Sequence, residues 1–312
     1  MFDIVSIGEF LIDLTQTGNN SQNIPIYAAN PGGAPANVAV AASKLGAETA
    51  FCGMVGKDAF GTYLKETLEQ YNVSTDFLCF HNIPTTMAIV SVNTKGERSF
   101  QFVRGADCAL TKSDVDISGC MNTKILHFGS VSLTEEPART TTLDIVSQAR
   151  RNNICISYDP NYRAPLWKSV EEAVKWMKRP LSMVDILKIS DEELSLLTGT
   201  NNLEEGSFTL SEYGISLVLI TMGSEGAYYR YNNKAGIVAG VKTTVVDTNG
   251  AGDTFLGALL YGLAQETNWR TCSIDRLETH IALANRSASF TCSGSGAIPA
   301  IPTKAQLMEL ER

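Results

Sequence analysis

Residues 245–255 contain the side chains best suited to chemistry, because an extended stretch leads into Gly250-Ala251-Gly252 and then into an apolar helix. Small residues let the backbone approach a ligand closely, and the unpaired N–H groups at a helix start bind anions. Asp253 follows directly and can accept a proton from a hydroxyl that attacks a bound phosphoryl group. We therefore predict an anion hole at Gly250-Ala251-Gly252 and a general base of low pKa at Asp253, with a plain helix cap as the alternative.

Three positions near the N-terminus are suited to binding hydroxyl groups. Asp13 follows residues 8–12 and offers a carboxylate that can accept hydrogen bonds from two hydroxyls. Gly32-Gly33 predicts a turn with exposed backbone, and Asn37 opens the following helix with an amide group. A lone Asp after a strand more often forms a turn, so the residues alone leave both interpretations of Asp13 open.

A second strand–helix junction lies at residues 188–193. Lys188 belongs to the end of a predicted strand, Ser190 is placed to cap the next helix, and Glu193 completes a capping box. Residues 221–226 predict a turn at the end of another strand. Each of these features also has a purely structural explanation, and only the other motifs favour a binding role.

The composition predicts a globular protein that binds a small molecule. Hydrophobic residues make up 44% of the 312 residues and charged residues 19%, which argues against disorder. The net charge of −8, without a Lys/Arg cluster, disfavours nucleic acid and anionic membranes as partners. The seven cysteines lack CxxC spacing, the three histidines are scattered, and no secretory signal begins the chain. We therefore predict reduced thiols, no zinc site and a cytoplasmic location.

Short β-rich runs alternate with helical patterns along most of the chain. This alternation predicts an α/β fold in a single domain of residues 1–312, with a doubly wound, mainly parallel sheet and helices on both faces. The predicted strands are residues 2–7, 49–55, 124–128, 153–158, 183–189 and 216–221. The predicted helices are residues 34–45, 58–71, 135–151, 170–178, 191–197, 253–265, 275–292 and 303–310.

Residues 9–30 and 84–105 interrupt this succession of strands and helices. They have the alternation of apolar and polar residues that is typical of strands, together with turn residues, but no helical pattern. Lys95-Gly96, between the runs 88–93 and 98–103, is typical of a hairpin. We predict that these segments form a small β-sheet that projects from the main domain as a lid. An antiparallel edge on the main sheet is the alternative.

Two motifs far apart in the chain carry a family resemblance. Residues 247–253, Asp-Thr-Asn-Gly-Ala-Gly-Asp, resemble the C-terminal signature of the ribokinase-like (PfkB) carbohydrate kinases, which is usually DTTGAGD. Residues 32–39, Gly-Gly-Ala-Pro-Ala-Asn-Val-Ala, resemble the N-terminal signature. The similarity extends over essentially the whole chain. Asn249 departs from the usual Thr, which leaves the anion hole intact and puts the neighbouring cation site in question.

The resemblance implies an enzyme that transfers the γ-phosphoryl group of ATP to a sugar hydroxyl, with Mg²⁺ as a cofactor and Asp253 as the base. It implies that the sugar is held by Asp13, Gly32, Gly33 and Asn37, and that ATP is bound by Lys188, Ser190, Thr221, Gly223, Gly226 and Asn285. Glu193 would order water around Mg²⁺, and Asp247 would contribute to a site for a monovalent cation such as K⁺. A homodimer formed through the lid is expected from the same resemblance.

Two segments favour fructose as the acceptor. Residues 159–163, Asp-Pro-Asn-Tyr-Arg, resemble the DPNxR segment of fructokinases and would project Arg163 toward the acceptor and the phosphoryl group. Residues 96–104 are also similar to bacterial fructokinases, with Phe100 and Arg104 expected at the substrate. Kinases of 2-keto-3-deoxygluconate and of aminoimidazole riboside share much of this pattern. Those acceptors therefore stay open, with Arg104 as the partner for the carboxylate of a sugar acid.

Other classes of protein fit less well. Residues 53–58 lack the GxxxxGK[ST] spacing of a P-loop, and no GxGxxG follows the first strand. A sugar-binding regulatory protein on a kinase scaffold is the non-enzymatic alternative. It is disfavoured because a pure binder has no need of a base such as Asp253. An assay of ADP release with a panel of sugars separates the two classes.

Overall fold

The computed structural model describes residues 1–92 and 98–309, and for residues 91, 92 and 98–100 it describes the backbone only. In chain order the strands are Phe2–Ile7 (β1), Leu11–Asn19 (β2), Pro25–Gly32 (β3), Thr49–Gly56 (β4), Val73–His81 (β5), Met87–Val92 (β6), Arg98–Val103 (β7), Thr123–Gly129 (β8), Cys155–Asp159 (β9), Ile186–Ser190 (β10), Leu217–Thr221 (β11), Gly226–Tyr231 (β12) and Lys234–Ala239 (β13). The helices are Ala34–Leu45 (α1), Ala59–Gln70 (α2), Ile117–Cys120 (α3), Ala138–Arg151 (α4), Val170–Lys178 (α5), Asp191–Thr198 (α6), Leu203–Ser211 (α7), Ala251–Ala264 (α8), Ile274–Cys292 (α9) and Lys304–Glu309 (α10).

Nine strands of the described chain form the main sheet, in the order β13-β12-β11-β10-β9-β8-β1-β4-β5. The strands from β11 to β5 are parallel to one another, whereas β12 pairs antiparallel with both of its neighbours. The carboxyl ends of the parallel strands therefore lie at one edge of the sheet. Ligands of open α/β sheets bind at this edge, so the loops after β1, β9, β10 and β11 are placed to share a site.

Side chains along β1 and β8 alternate between two apolar clusters on opposite faces of the main sheet, and a third cluster packs β4 against α1 and α2. Ile4 and Ile125 pack with α1, α8 and α9, whereas Val5 and Leu126 pack with α4 to α7. All four side chains are almost completely buried, as helices on both faces of a parallel sheet require. The predicted α/β fold is thus confirmed. In residues 1–92 and 98–309, no helix combines the length and the apolar character needed to span a membrane.

The segments predicted as a lid form a separate sheet, in which four strands of the described chain lie in the order β3-β2-β6-β7. β2 pairs antiparallel with β3 and parallel with β6, with Asp13 opposite Ala88. Successive residues of a strand point to opposite faces, and Leu11, Asp13 and Thr15 share the face that lines a cavity against the main sheet. The predicted Lys95-Gly96 turn lies outside the described residues.

Strands at both edges of the main sheet were not predicted from the sequence. β5 follows α2 at one edge, and β12 and β13 form a hairpin at the other, directly after the turn predicted at residues 221–226. Asn232 and Asn233 connect this hairpin, with φ of 48° and 63°, as two-residue type I′ turns need. The signal is weak because the Asn-Asn pair lacks the glycine that usually marks such a turn.

Candidate active site

A cavity of about 560 Å³ lies between the small sheet and the carboxyl edge of the main sheet. Its walls come from β2, β6 and β7, from the loops around the ends of β1, β9 and β10, and from the start of α8. This volume is in the usual range for a small-molecule site. Of the residues predicted from the sequence, those that line it are Asp13, Gly33, Asn37, Arg163, Lys188, Asp247, Gly250, Gly252 and Asp253.

The Gly-Ala-Gly turn forms the N-terminus of α8, which begins at Ala251, two residues before its predicted start. Gly250 is the N-cap with a φ of 76°, a left-handed conformation that favours glycine. The N–H groups of Gly252 and Asp253 find no backbone acceptor within residues 1–92 and 98–309, as is usual in a first helical turn. They are therefore available to an anion in the cavity.

Asp253 faces the cavity from the first turn of α8. Its Oδ2 accepts a 2.7 Å hydrogen bond from Nδ2 of Asn37, so two residues with predicted roles are in direct contact. Burial raises the pKa of Asp253 to about 6; the Asn37 bond and the charges of Lys188 and Arg163 oppose this rise, and Asp159 adds to it. The expected low pKa was wrong, because exclusion from water outweighs the favourable field of the helix start.

Asp13 reaches the cavity from the small sheet. Burial raises its pKa to about 6, while a hydrogen bond from the Asn249 side chain and the charge of Arg163 act to lower it. Gly32 ends β3, and Gly33 is the N-cap of α1 and contributes to the cavity wall.

Lys188 places a buried ammonium group beside the anion-hole turn. A Cβ atom on Gly252 would lie 3.0 Å from its Nζ, and Nζ donates a 2.8 Å hydrogen bond to Oδ2 of Asp159. Burial by itself would lower the pKa of Lys188, but the negative charges of Asp159, Glu193 and Asp253 raise it above its usual value. The lysine is therefore charged, and the absence of a side chain at Gly252 lets an anion approach it.

The two arginines predicted at the acceptor are placed differently. Arg163 lines the cavity. Arg104 does not contribute to the cavity wall formed by the described residues; its Nη2 pairs with Asp107 at 2.7 Å and its Nη1 donates to Thr134 at 2.7 Å. Phe100 belongs to β7, but its side chain lies outside the described part of the structure.

The residues predicted to bind ATP continue along the same edge of the main sheet. Ser190 and Thr221 end β10 and β11 in register with each other. Ser190 forms the predicted capping box, with its side chain accepting a hydrogen bond from the N–H of Glu193. Gly223 and Gly226 flank the turn that leads into β12. Lys188 of β10 also lines the cavity, so the residues predicted to bind ATP and those predicted to bind the acceptor are neighbours.

Asn285 is buried on α9 rather than exposed on the helix surface. Its Nδ2 donates hydrogen bonds to the carbonyl groups of Val238, at 3.0 Å, and Ala239, at 3.1 Å. These residues end β13, which pairs with the start of β12. The amide of Asn285 therefore holds the edge hairpin beside the residues predicted to bind the nucleotide.

Both carboxylates predicted at cation sites accept hydrogen bonds from backbone N–H groups. Asp247 accepts from Asn249 at 3.1 Å and from Gly296 at 3.2 Å. Glu193 accepts from Tyr162 at 2.6 Å and, through its other oxygen, from the N-cap residue of α6 at 2.8 Å. The described ranges 1–92 and 98–309 hold no group of three or more His, Cys, Asp or Glu arranged for a metal ion. The remaining lone pairs of Glu193 fit contact with a metal through water better than a direct multi-carboxylate site.

Two buried carboxyl groups at this edge were not predicted as site residues from the sequence. Glu9, shortly after β1, lines the cavity; burial raises its pKa to about 8, and its Oε1 accepts a hydrogen bond from the N–H of Ala34 at 3.2 Å. Asp159 ends β9 and pairs with Lys188. Both lie at the carboxyl ends of parallel strands, and the rule that sites form there could have identified them.

Comparison with known proteins identifies the family of this chain. The pfkB family carbohydrate kinase pattern matches residues 1–304. The chain is 38% identical to Fructokinase-2 of Solanum habrochaites, over 98% of this chain and 95% of that protein. It is 37% identical to Fructokinase-1 of Zea mays, over 98% of this chain and 97% of that protein.

Solved structures of sugar kinases share the fold. A fructokinase from Xylella fastidiosa with bound ATP has a TM-score of 0.92 at 28% identity, covering 99% of this chain and 97% of that one. A fructokinase double mutant from Vibrio cholerae O395 with fructose, ADP and potassium ion has a TM-score of 0.88 at 31% identity, covering 99% and 98%. Aminoimidazole riboside kinase from Salmonella enterica has a TM-score of 0.85 at 27% identity, covering 99% of each chain. This chain belongs to the pfkB family of carbohydrate kinases.

Proposed function

We propose that this carbohydrate kinase transfers the γ-phosphoryl group of ATP to fructose, with Asp253 as the general base. The observation that carries the proposal is the position of the Asp253 carboxylate. It faces a cavity large enough for a hexose, lies 2.7 Å from the Asn37 amide, and follows directly after Gly252, whose N–H group lacks a backbone acceptor among the described residues. A hydroxyl held between Asn37 and Asp253 would therefore face the anion that the turn binds.

Asn37, Asp13 and Asp253 are proposed to hold and activate the sugar. Nδ2 of Asn37 donates to Oδ2 of Asp253, and a carboxylate can accept several hydrogen bonds, so a sugar hydroxyl could donate to the same carboxylate. With a pKa of about 6, Asp253 is mostly ionised at pH 7. It accepts the proton of the attacking hydroxyl as the sugar oxygen bonds to phosphorus and the bond to the ADP oxygen breaks.

Charge on the transferring phosphoryl group is proposed to be stabilised from two directions. The N–H groups of Gly252 and Asp253 approach it from the helix start, and the Lys188 ammonium lies beside the same turn. Arg163 reaches the cavity from the loop after β9. Donors held in place before the reaction stabilise developing charge without further reorganisation, which is commonly a large part of catalysis.

ATP is proposed to lie along the carboxyl ends of β10 and β11, beside Ser190 and Thr221. Mg²⁺ would be held by the nucleotide phosphates and by water bound to Glu193, and it would neutralise phosphate charge there. A monovalent cation would bind near Asp247. The Vibrio cholerae fructokinase with ADP and potassium ion supports the choice of K⁺.

Fructose is favoured over a sugar acid because of the groups that surround the acceptor. Arg104, the predicted partner of a substrate carboxylate, is committed to Asp107 and Thr134. Asp13 adds a carboxyl group to the cavity wall, and its ionised form repels an anionic acceptor. The plant fructokinases at 37–38% identity support the same choice. 2-Keto-3-deoxygluconate and aminoimidazole riboside are the alternative acceptors.

The test is ADP release by the purified protein with ATP, Mg²⁺ and, in turn, fructose, glucose, 2-keto-3-deoxygluconate and aminoimidazole riboside. We expect fructose to give the highest kcat/KM and Asp253→Asn to abolish the activity. Sugar binding without ADP release from any acceptor would instead support the regulatory protein, and a sugar acid as the best acceptor would support the alternative kinase.

A homodimer formed through the small sheet is proposed from its exposed apolar residues. Ile24 is 54% exposed, Ile26 48% and Tyr27 39%, all at the β2–β3 end of the sheet. Association of two molecules at this end of the sheet would remove this apolar surface from water. Sedimentation analysis at micromolar concentration tests the proposal, and a monomer both with and without fructose would contradict it.

A further inference from the structure

Asp159 and Lys188 form a buried ion pair where β9 and β10 end. Nζ of Lys188 lies 2.8 Å from Oδ2 of Asp159, and the two side chains are only 8% and 2% exposed. Removing both charges from water is costly, and a buried pair often adds little to stability compared with apolar residues of the same size. The contacts that each residue of the pair makes indicate a role other than stability.

Lys188, the cationic residue of the pair, lies beside the anion-hole turn. Lys188 lines the cavity, and its Nζ would lie 3.0 Å from a Cβ atom on Gly252. Its stem is flexible and its ammonium is a point charge, so its position depends on its partners. Glu193 and Asp253 also attract this ammonium. Without Asp159, the ammonium would be drawn toward one of these two carboxylates and would leave its present position.

The aspartate end of the pair holds the turn that carries Arg163. Oδ1 of Asp159 accepts a 3.1 Å hydrogen bond from the N–H of Asn161, which has a φ of 47°. Oε1 of Glu193 accepts from the N–H of Tyr162 in the same turn. Two buried carboxylates therefore fix this turn, and one of them also holds Lys188.

We propose that Asp159 is a positioning residue for phosphoryl transfer. One carboxylate oxygen holds the Lys188 ammonium beside Gly252, and the other holds the turn that presents Arg163 to the cavity. A single side chain thus sets the positions of two cations that face the transferring group. The inference rests on the proposed kinase function, and it adds a residue that itself lines no part of the described cavity wall.

The test is a double-mutant cycle of Asp159→Asn and Lys188→Met, with kcat measured at saturating fructose and ATP. We expect Asp159→Asn to lower kcat at least about tenfold and Lys188→Met about 10²-fold, the size expected for loss of one charge-stabilising donor. The KM for fructose should change less than about threefold. Asparagine at position 159 keeps one oxygen that can accept from the N–H of Asn161, so Asp159→Asn mainly removes the charge that holds Lys188. The double variant should therefore be no slower than Lys188→Met alone, because the partner is already gone.

Asp185→Asn is the matched control. Asp185 is a buried carboxylate between the same two strands at their amino ends, where it pairs with Arg150 at 3.2 Å and Arg270 at 2.7 Å and accepts from the N–H of Ile156. Its loss should lower Tm, yet leave the kcat of the folded protein within about twofold. Should Asp159→Asn fail to fold, Asp159→Glu keeps the charge but displaces the ammonium, and we expect it to lose at least about fivefold in kcat.

Three results would overturn the inference. The first is a wild-type kcat in the folded Asp159→Asn or Asp159→Glu variant. The others are a double variant whose loss of kcat is the product of the two single losses, and a loss of kcat in the Asp185→Asn control as large as that in Asp159→Asn. The Asp253→Asn variant distinguishes failure of the proposed kinase function from failure of the positioning role. If that variant keeps full activity, the kinase mechanism itself is wrong. If it is inactive while Asp159→Asn has wild-type kcat, only the positioning role fails.

Discussion

Replacing Asp253 with asparagine should stabilise the ligand-free protein and remove its activity at the same time. Burial raises the pKa of Asp253 from 3.8 to about 6, so folding places its charged form in worse surroundings than the unfolded chain does. Above pH 6 the carboxylate is ionised in both states, and the native state carries the full penalty. Below pH 3.8 it is protonated in both states, and the penalty vanishes. Since one pK unit corresponds to about 1.4 kcal/mol, the neutral side chain gains at most about 3 kcal/mol at pH 7.

The geometry of the site should survive this substitution. Asparagine has nearly the same volume as aspartate, and its carbonyl oxygen can still accept the hydrogen bond from Asn37. What is lost is the proton acceptor, so we expect kcat to fall at least about 10²-fold. Affinity for ATP should change little, because Asp253 is proposed to contact the acceptor and not the nucleotide.

Thermal unfolding at pH 7.5 and pH 4.5, combined with steady-state kinetics, measures both effects. We expect the Tm of Asp253→Asn to exceed that of the wild type by at least about 3 °C at pH 7.5, with a smaller difference at pH 4.5. Asp185→Asn is the control, because it breaks the ion pairs that this buried carboxylate makes with Arg150 and Arg270 and should lower Tm. A lower Tm for Asp253→Asn would mean that the carboxylate supports the helix, and near-normal kcat would exclude it as the base.

The remaining predictions concern the acceptor and the pH profile. Asp13→Ala should weaken fructose binding by roughly 1.5–3 kcal/mol in isothermal titration, with little effect on a non-hydrolysable ATP analogue; equal weakening of both ligands would mean the sites are misassigned. The kcat/KM for fructose should exceed that for 2-keto-3-deoxygluconate more than tenfold, which needs about 1.4 kcal/mol, and a preference for the sugar acid that collapses in Arg104→Ala would overturn this. On the acid side, kcat/KM should fall below pH 6, because protonation of Asp253 and Asp13, each with a pKa of about 6, removes the base and a hydroxyl acceptor. A profile flat down to pH 5 would refute those pKa values.

Features with local causes could be predicted from the sequence. The capping box of Ser190 and Glu193 and the presence of a helix start at the Gly250-Ala251-Gly252 turn depend on residues a few positions apart. The α/β fold follows from apolar runs whose period changes from two to 3.6. The β12–β13 hairpin was not predicted, because its Asn232-Asn233 turn has no glycine to mark it.

The contacts around Arg104 show what local patterns leave undecided. Its position in the chain made it a candidate for binding a substrate carboxylate, but Thr134, thirty residues further on, and Asp107 take up its guanidinium. Phe102 lines the cavity, and alternation along the strand could not separate it from Phe100. Which partner a long charged side chain finds depends on how distant segments pack together.

The sequence by itself determined the family signatures, the order of most strands and helices, and the residue types that could perform a phosphoryl transfer. Only the tertiary structure brought Asn37 into contact with Asp253 and paired Asp159 with Lys188, across 216 and 29 positions of the chain. It also decided that Asp253 has a raised rather than a lowered pKa. The physical reason is that helix starts and turns arise from neighbouring residues, whereas burial and charge pairing arise from whichever distant segments exclude water together.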